Sequence, residues 1–227
     1  MSRALLVLRP EPGASATAAR AAALHFTTIV APLFTVISLD WSAPDSAGFD
    51  ALLLTSANSA RHGGAQLARY AGLPVYAVGA ATAAAAREAG FEKVTTGDTD
   101  GAALVARAAS DGVARLLHLT GREHVALTHP TVTIDRRIVY AAQAAERLPK
   151  PAEAALSTGA VALLHSARAG TTFRALVLAA GLVPAEVRIA AISPAALAAA
   201  GTDWQAAIAA GSASDDALLA GAARLCD

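Results

Sequence analysis

Twice in this chain a short apolar run breaks off into hydroxyl, amide and guanidinium side chains. Ala51 to Leu54 is followed by Thr55, Ser56, Asn58 and Ser59, and Ala160 to Leu164 is followed by His165, Ser166 and Arg168. Ser56 corresponds to Ser166. A second pair follows each copy: Gly79, after PVYAV, corresponds to Ser193, after VRIAAI. Side chains of this kind cap the free N–H groups of a starting helix. The same amides, with the helix dipole behind them, form an anion site. Further donors stand at other strand ends: Arg9 before Pro10, Thr82 three residues after Gly79, and Gly121-Arg122 after LLHLT. Arg61 follows the first turn in the same way. Arginine at a strand end pairs with carboxylates bidentately, and open sheets bind ligands there. Arg136 and Arg137 are adjacent on a strand-like run, so at most one faces a given side. The chemistry these residues suit is recognition of an anionic ligand by strand-to-helix turns.

Other chemistries find less support. The six histidines show neither HExxH nor Cys/His ligand spacing. There is no GxGxxG and no Walker A pattern, so nucleotide-phosphate loops are unsupported. Cys226 is the single cysteine, which rules out an internal disulfide and fits a reducing cytoplasm. The chain has 227 residues, 55% hydrophobic and 16% charged, with a net charge of zero. That argues against disorder and against bulk attraction to nucleic acid or membrane. No apolar run reaches the roughly 18 to 20 residues of a membrane span. In MSRALLVLRPEPG the apolar run before Arg9-Pro10 is too short for a convincing signal peptide and reads better as a first strand.

The elements that must position these residues alternate. Strands are expected at 4–8, 27–31, 33–39, 51–54, 74–78, 93–95, 115–119, 131–140, 160–164 and 187–192. Ser15 or Thr17 is expected to cap a helix to about His25. Further helices are expected from the Thr55 turn to about Tyr70, over 82–89, 101–110, 169–180 and 194–200, and over 215–225 with Ser214 as cap. Gly97 to Asp100 reads as a turn, and Pro149 to Pro151 as a break. Strands alternating with helices imply parallel sheets wound on both faces. The repeat implies two similar α/β units.

The order Arg9-Pro10, DALLLTSANSA, YAVGAATAAAAREAGF, LLHLTGRE, the strand ending at Tyr140, ALLHSARAG and AAISPAALAAA resembles the uroporphyrinogen-III synthase family over nearly the whole chain. The resemblance implies two doubly wound parallel-sheet α/β domains joined by a two-stranded β connector. It places the first domain at 1–32 plus 150–227, the connector at 33–39 and 140–149, and the second domain at 40–139. The implied reaction is cyclisation of hydroxymethylbilane, a linear tetrapyrrole carrying eight carboxylates, with inversion of its last ring through a spiro intermediate. No cofactor is implied, and the expectation is a cytoplasmic monomer binding neither nucleic acid nor membrane. Tyr140 matches the family's connector tyrosine and is the candidate for assisting departure of the hydroxyl. Thr82 matches the threonine of the VGxxT turn. Its partner in the other copy is Ala196, and Ser193 replaces the usual glycine. The expected substrate-binding set is Arg9, Thr55, Ser56, Asn58, Ser59, Gly79, Thr82, Gly121, Arg122, Ser166, Arg168 and Ser193. The rival reading is a non-catalytic two-lobed α/β binding protein for a small anion.

Overall fold

The computed structural model of the chain describes residues 3–97 and 100–226. β1 (Leu5–Val7), α1 (Gly13–Ala23) and β2 (Thr28–Val30) come first, then β3 (Phe34–Ser38) and β4 (Ala51–Leu54). α2 (Ala57–His62), β5 (Val75–Val78), α3 (Ala80–Glu88), β6 (Val94–Gly97), α4 (Gly101–Ser110), β7 (Arg115–Gly121) and β8 (Thr133–Ala144) follow. The chain continues through α5 (Lys150–Ser157), β9 (Val161–Leu164), α6 (Ala167–Ala179), β10 (Arg188–Ala191), α7 (Pro194–Ala200), β11 (Ala206–Ala209) and α8 (Asp215–Ala223).

Two compact units result: Met1–Thr35 with Gln143–Asp227, and Val36–Ala142. The first contains a parallel sheet in the order β11-β10-β9-β1-β2. The second contains parallel β8-β7-β4-β5-β6, with β3 beside β8. The Leu39 N–H donates to Val139 O at 2.9 Å, and the Ala145 N–H to Leu33 O at 2.8 Å. Those partners run in opposite chain directions, so β3 and β8 are antiparallel. They are the two-stranded connector, because each unit boundary falls inside one of them.

β4 shows why the strands are apolar throughout. Leu52 and Leu54 pack in one core with Tyr70, Ala77 and Phe91. Ala51 and Leu53 pack in the opposite core with Leu104, Val105 and Leu116. Successive strand side chains point to opposite faces, so a sheet covered on both faces needs an unbroken apolar run. The winding order also creates two special places. From β1 the chain moves outward to β2, then resumes at β9 on the other side of β1. From β4 it moves through β5 to β6, then resumes at β7 on the other side of β4. Open α/β sheets bind ligands beyond the strand C-termini where the winding reverses in this way.

Several expected boundaries are corrected. α1 starts at Gly13 with no side-chain cap, and Ser15 and Thr17 lie within it. The Glu11 carboxylate accepts from the Ser15 N–H (3.0 Å) and Oγ (2.8 Å) instead. α2 stops at His62 rather than near Tyr70, because Gly63 and Gly64 (φ 68°) interrupt it before a 3-10 turn over Ala65–Tyr70. Pro149 to Pro151 does not break the chain. α5 starts there, since proline's missing N–H and fixed φ suit a first helical turn. β8 runs on past Tyr140 to Ala144 as one strand. β11 was not expected at all. Of the turn expected over Gly97 to Asp100, residues 98 and 99 lie outside the described residues.

Candidate active site

The hydroxyls at the turn starts act as caps. Ser56 accepts from the Asn58 N–H at 3.2 Å, Ser166 from the Ala169 N–H at 3.1 Å, and Ser193 from the Ala196 N–H at 3.2 Å. All three hold extended backbone angles, as N-caps do. Gly79 heads α3 differently, at φ 77°, a conformation favouring glycine. Ser193, its partner in the repeat, sits at φ −157°. The two turns therefore match in position and differ in backbone shape.

At the winding reversal of the second unit, Thr55 ends β4 and His118 lies on neighbouring β7. Thr55 Oγ1 and His118 Nε2 are 3.2 Å apart. His118 is buried, and its Nδ1 has no hydrogen-bond partner among the described residues. Burial, then the charges of Arg136 and His124, pulls its pKa down to about 4. The imidazole backing Thr55 is therefore neutral at neutral pH.

Tyr140 is placed by a bulge. Thr120 faces Ile138 and Gly121 faces Tyr140, so β8 carries one extra residue there. The Tyr140 ring lies over Gly121, where a Cβ would come within 2.6 Å of Cζ. Gly121 thus contributes room for a ring. The Arg122 N–H donates to Tyr140 O at 3.0 Å. Thr55, Ser56, Thr120 and Tyr140 line one pocket of about 760 Å³ together with Asp100, Glu123 and His124. Asp100, Glu123 and His124 were missed from the sequence. The signal for Asp100 was its place directly before a helix, where its Oδ1 accepts from the Ala103 N–H at 2.9 Å.

The other expected residues do not line that pocket. Ser59 is fully buried, with its Oγ unpartnered among the described residues. Thr82 is buried on α3. Asn58 and Gly79 are half-buried, and Arg122 is exposed. In the first unit Arg168 stacks on Phe34, its Cζ 4.7 Å from the ring centre. Arg9 Nη1 donates to Asp215 Oδ1 at 3.1 Å. Asp215 Oδ2 also accepts from Thr17 Oγ1 (2.8 Å) and Arg20 Nη1 (2.9 Å). Among the described residues no group of three or more His, Cys, Asp or Glu is placed to hold a metal ion, and no helix is long and apolar enough to cross a membrane.

Fold and site together define a two-unit α/β protein that presents capped turns and polar side chains beyond its strand C-termini. The family profile described as Uroporphyrinogen-III synthase HemD matches residues 15–220, and the chain belongs to that family. It is accordingly a lyase of tetrapyrrole (heme) biosynthesis. Its reaction cyclises hydroxymethylbilane, with inversion of the last pyrrole ring, through a spiro intermediate. The structure of uroporphyrinogen-III synthetase from Helicobacter pylori is similar at 16% identity. It covers 99% of this chain and 100% of its own, with a TM-score of 0.64. That of Thermus thermophilus uroporphyrinogen III synthase is 17% identical and covers 100% of both chains, with a TM-score of 0.40. At these identities the Helicobacter likeness speaks for the fold. No curated protein sequence matches the chain.

Proposed function

We propose that this chain performs the synthase reaction by positioning its substrate rather than by attacking it. Departure of the terminal hydroxyl leaves an electrophilic azafulvene. The last pyrrole then attacks through its already substituted carbon. Nucleophile and electrophile both belong to the substrate, so the protein must supply shape and placed donors. The observation that carries the reading is the meeting of Thr55, Ser56 and Tyr140 in one pocket at a winding reversal. The Tyr140 phenol, on the pocket wall, assists the leaving hydroxyl as a donor. In the second unit the amides at the starts of α2 and α3, with Arg122, are suited to carboxylates; in the first unit those at the starts of α6 and α7, with Arg9 and Arg168, are suited to them in the same way. Asp100 and Glu123 put negative charge on the pocket wall, which suits pyrrole N–H groups better than carboxylates. The protein is proposed to act as a cytoplasmic monomer that binds neither nucleic acid nor membrane, in keeping with its zero net charge. Incubation with hydroxymethylbilane, with the products resolved into type III and type I isomers, tests the reading. Type III in excess of the spontaneous type I is expected. Type I alone overturns it.

A further inference from the structure

Asp215 opens α8, yet it is only 8% exposed. A buried carboxylate requires partners, and it has four. Arg9 Nη1 approaches Oδ1 at 3.1 Å and Oδ2 at 3.4 Å, while Thr17 Oγ1 and Arg20 Nη1 donate to Oδ2. His165 Nε2 stands 3.3 Å from Oδ1 without the alignment of a hydrogen bond. Burial and the Arg9 charge hold the His165 pKa down near 4, so the imidazole is neutral at neutral pH. Burial pushes the Asp215 pKa upward, but the Thr17 hydroxyl and the charges around it more than reverse that, and the carboxyl stays ionised. The cluster is two arginines against one carboxylate, which leaves one positive charge.

The geometry of Arg9 shows where that charge is offered. Only Nη1 is engaged, with Asp215 and, at 3.4 Å, with Thr17 Oγ1. Nε and Nη2 make no hydrogen bond to any described residue, and the side chain is 34% exposed. The Nε–Nη2 edge is the face that grips a carboxylate with two parallel bonds. The guanidinium lies against Gly13, where a Cβ would fall 2.5 Å from Nε and 2.9 Å from Nη2. Arg9 follows β1 and His165 follows β9, so the cluster stands at the winding reversal of the first unit.

We propose that Asp215 is a positioning residue: it fixes Arg9 by one nitrogen so that the Nε–Nη2 edge is preset for one carboxylate of the substrate. A fixed guanidinium loses less side-chain freedom on binding, which favours affinity. The inference rests on the tetrapyrrole reading, and uroporphyrin, the oxidised octacarboxylate, provides a probe independent of turnover. Its binding is followed by fluorescence titration, alongside KM and kcat for type III formation and circular dichroism. Asp215→Asn is expected to weaken binding and raise KM about tenfold with kcat nearly unchanged, as for loss of a preset charged contact. In an Arg9→Gln background, adding Asp215→Asn is expected to change neither quantity further. Gly13→Ala, with Asp215 intact, is expected to weaken binding by displacing the guanidinium, and it serves if Asp215→Asn fails to fold. The proposal is overturned by wild-type affinity in Asp215→Asn or Gly13→Ala, by additive losses in the double variant, or by no binding to the wild type. Wild-type binding that depends on Arg9 and Asp215, without type III product, leaves the subsite standing and removes the functional reading.

Discussion

His118, inside β7, is buried, the side chain of His165, just past β9, is nearly covered, and both are held near pH 4 against an ordinary value of 6.5. Between those values the unfolded chain binds more protons than the folded one. Stability is therefore full above about pH 6.5 and is lost as pH falls toward 4. A shift of this size is worth roughly 3 kcal/mol per histidine at most. The urea midpoint should hold from pH 7.5 to about 6.5 and then fall to pH 4.5, less steeply in His118→Gln. A flat profile would contradict the burial argument. Tyr140→Phe should lower turnover with little change in thermal midpoint. General acid assistance is worth on the order of 10²-fold when fully engaged, and the facile spontaneous reaction makes a smaller loss the expectation. Gly121→Ala should lower turnover as well, by pushing the ring aside. Wild-type rates in both variants would leave Tyr140 a packing residue. The caps Ser56, Ser166 and Ser193 were legible because a serine ending an apolar run has a simple local mechanism. The Arg9–Asp215 contact was not, because its partners are 206 positions apart and no local pattern joins them.

Helix packing sets tight limits at α6. A Cβ on Gly170 would meet Ala196 O at 2.6 Å and Ala200 N at 2.9 Å, both backbone atoms of α7 or its end. Gly170→Ala must force the two helices apart, and overpacking of this kind costs about 1–3 kcal/mol. A wild-type urea midpoint for Gly170→Ala would show that α6 and α7 pack loosely. Gly79 is limited differently: its Cβ would meet nothing, and only its φ of 77° resists a side chain. The longer apolar runs announced their strands. β11 did not, because AAIA has a single β-branched residue and owes its state to parallel pairing with β10. α5 was hidden behind two prolines that start it. The bulge in β8 was also silent in sequence, since the extra residue shows only against the register of β7. That bulge sets where the Tyr140 side chain lies.

The internal repeat made the two-unit architecture legible, and the matched positions Ser56 and Ser166, and Gly79 and Ser193, do head matched helices. The connector was legible chiefly through the family resemblance. The side chains that meet at each winding reversal were less so, because they come from strands far apart in sequence. Many placed donors, rather than one reactive side chain, are proposed to direct ring inversion. This is tested by the initial rate of type III formation in Ser56→Ala, Asn58→Ala, Thr82→Ala, Ser166→Ala and Gly79→Val, with circular dichroism as the folding control. Each alanine variant removes one donor, worth roughly 0.5–3 kcal/mol, while the turn amides remain. Gly79→Val strains a whole turn by about 1–3 kcal/mol and displaces its amides together. Measurable type III product is expected in all four alanine variants, and the lowest rate in folded Gly79→Val. An alanine variant reduced to the spontaneous type I background, beside an active Gly79→Val, would contradict the proposal.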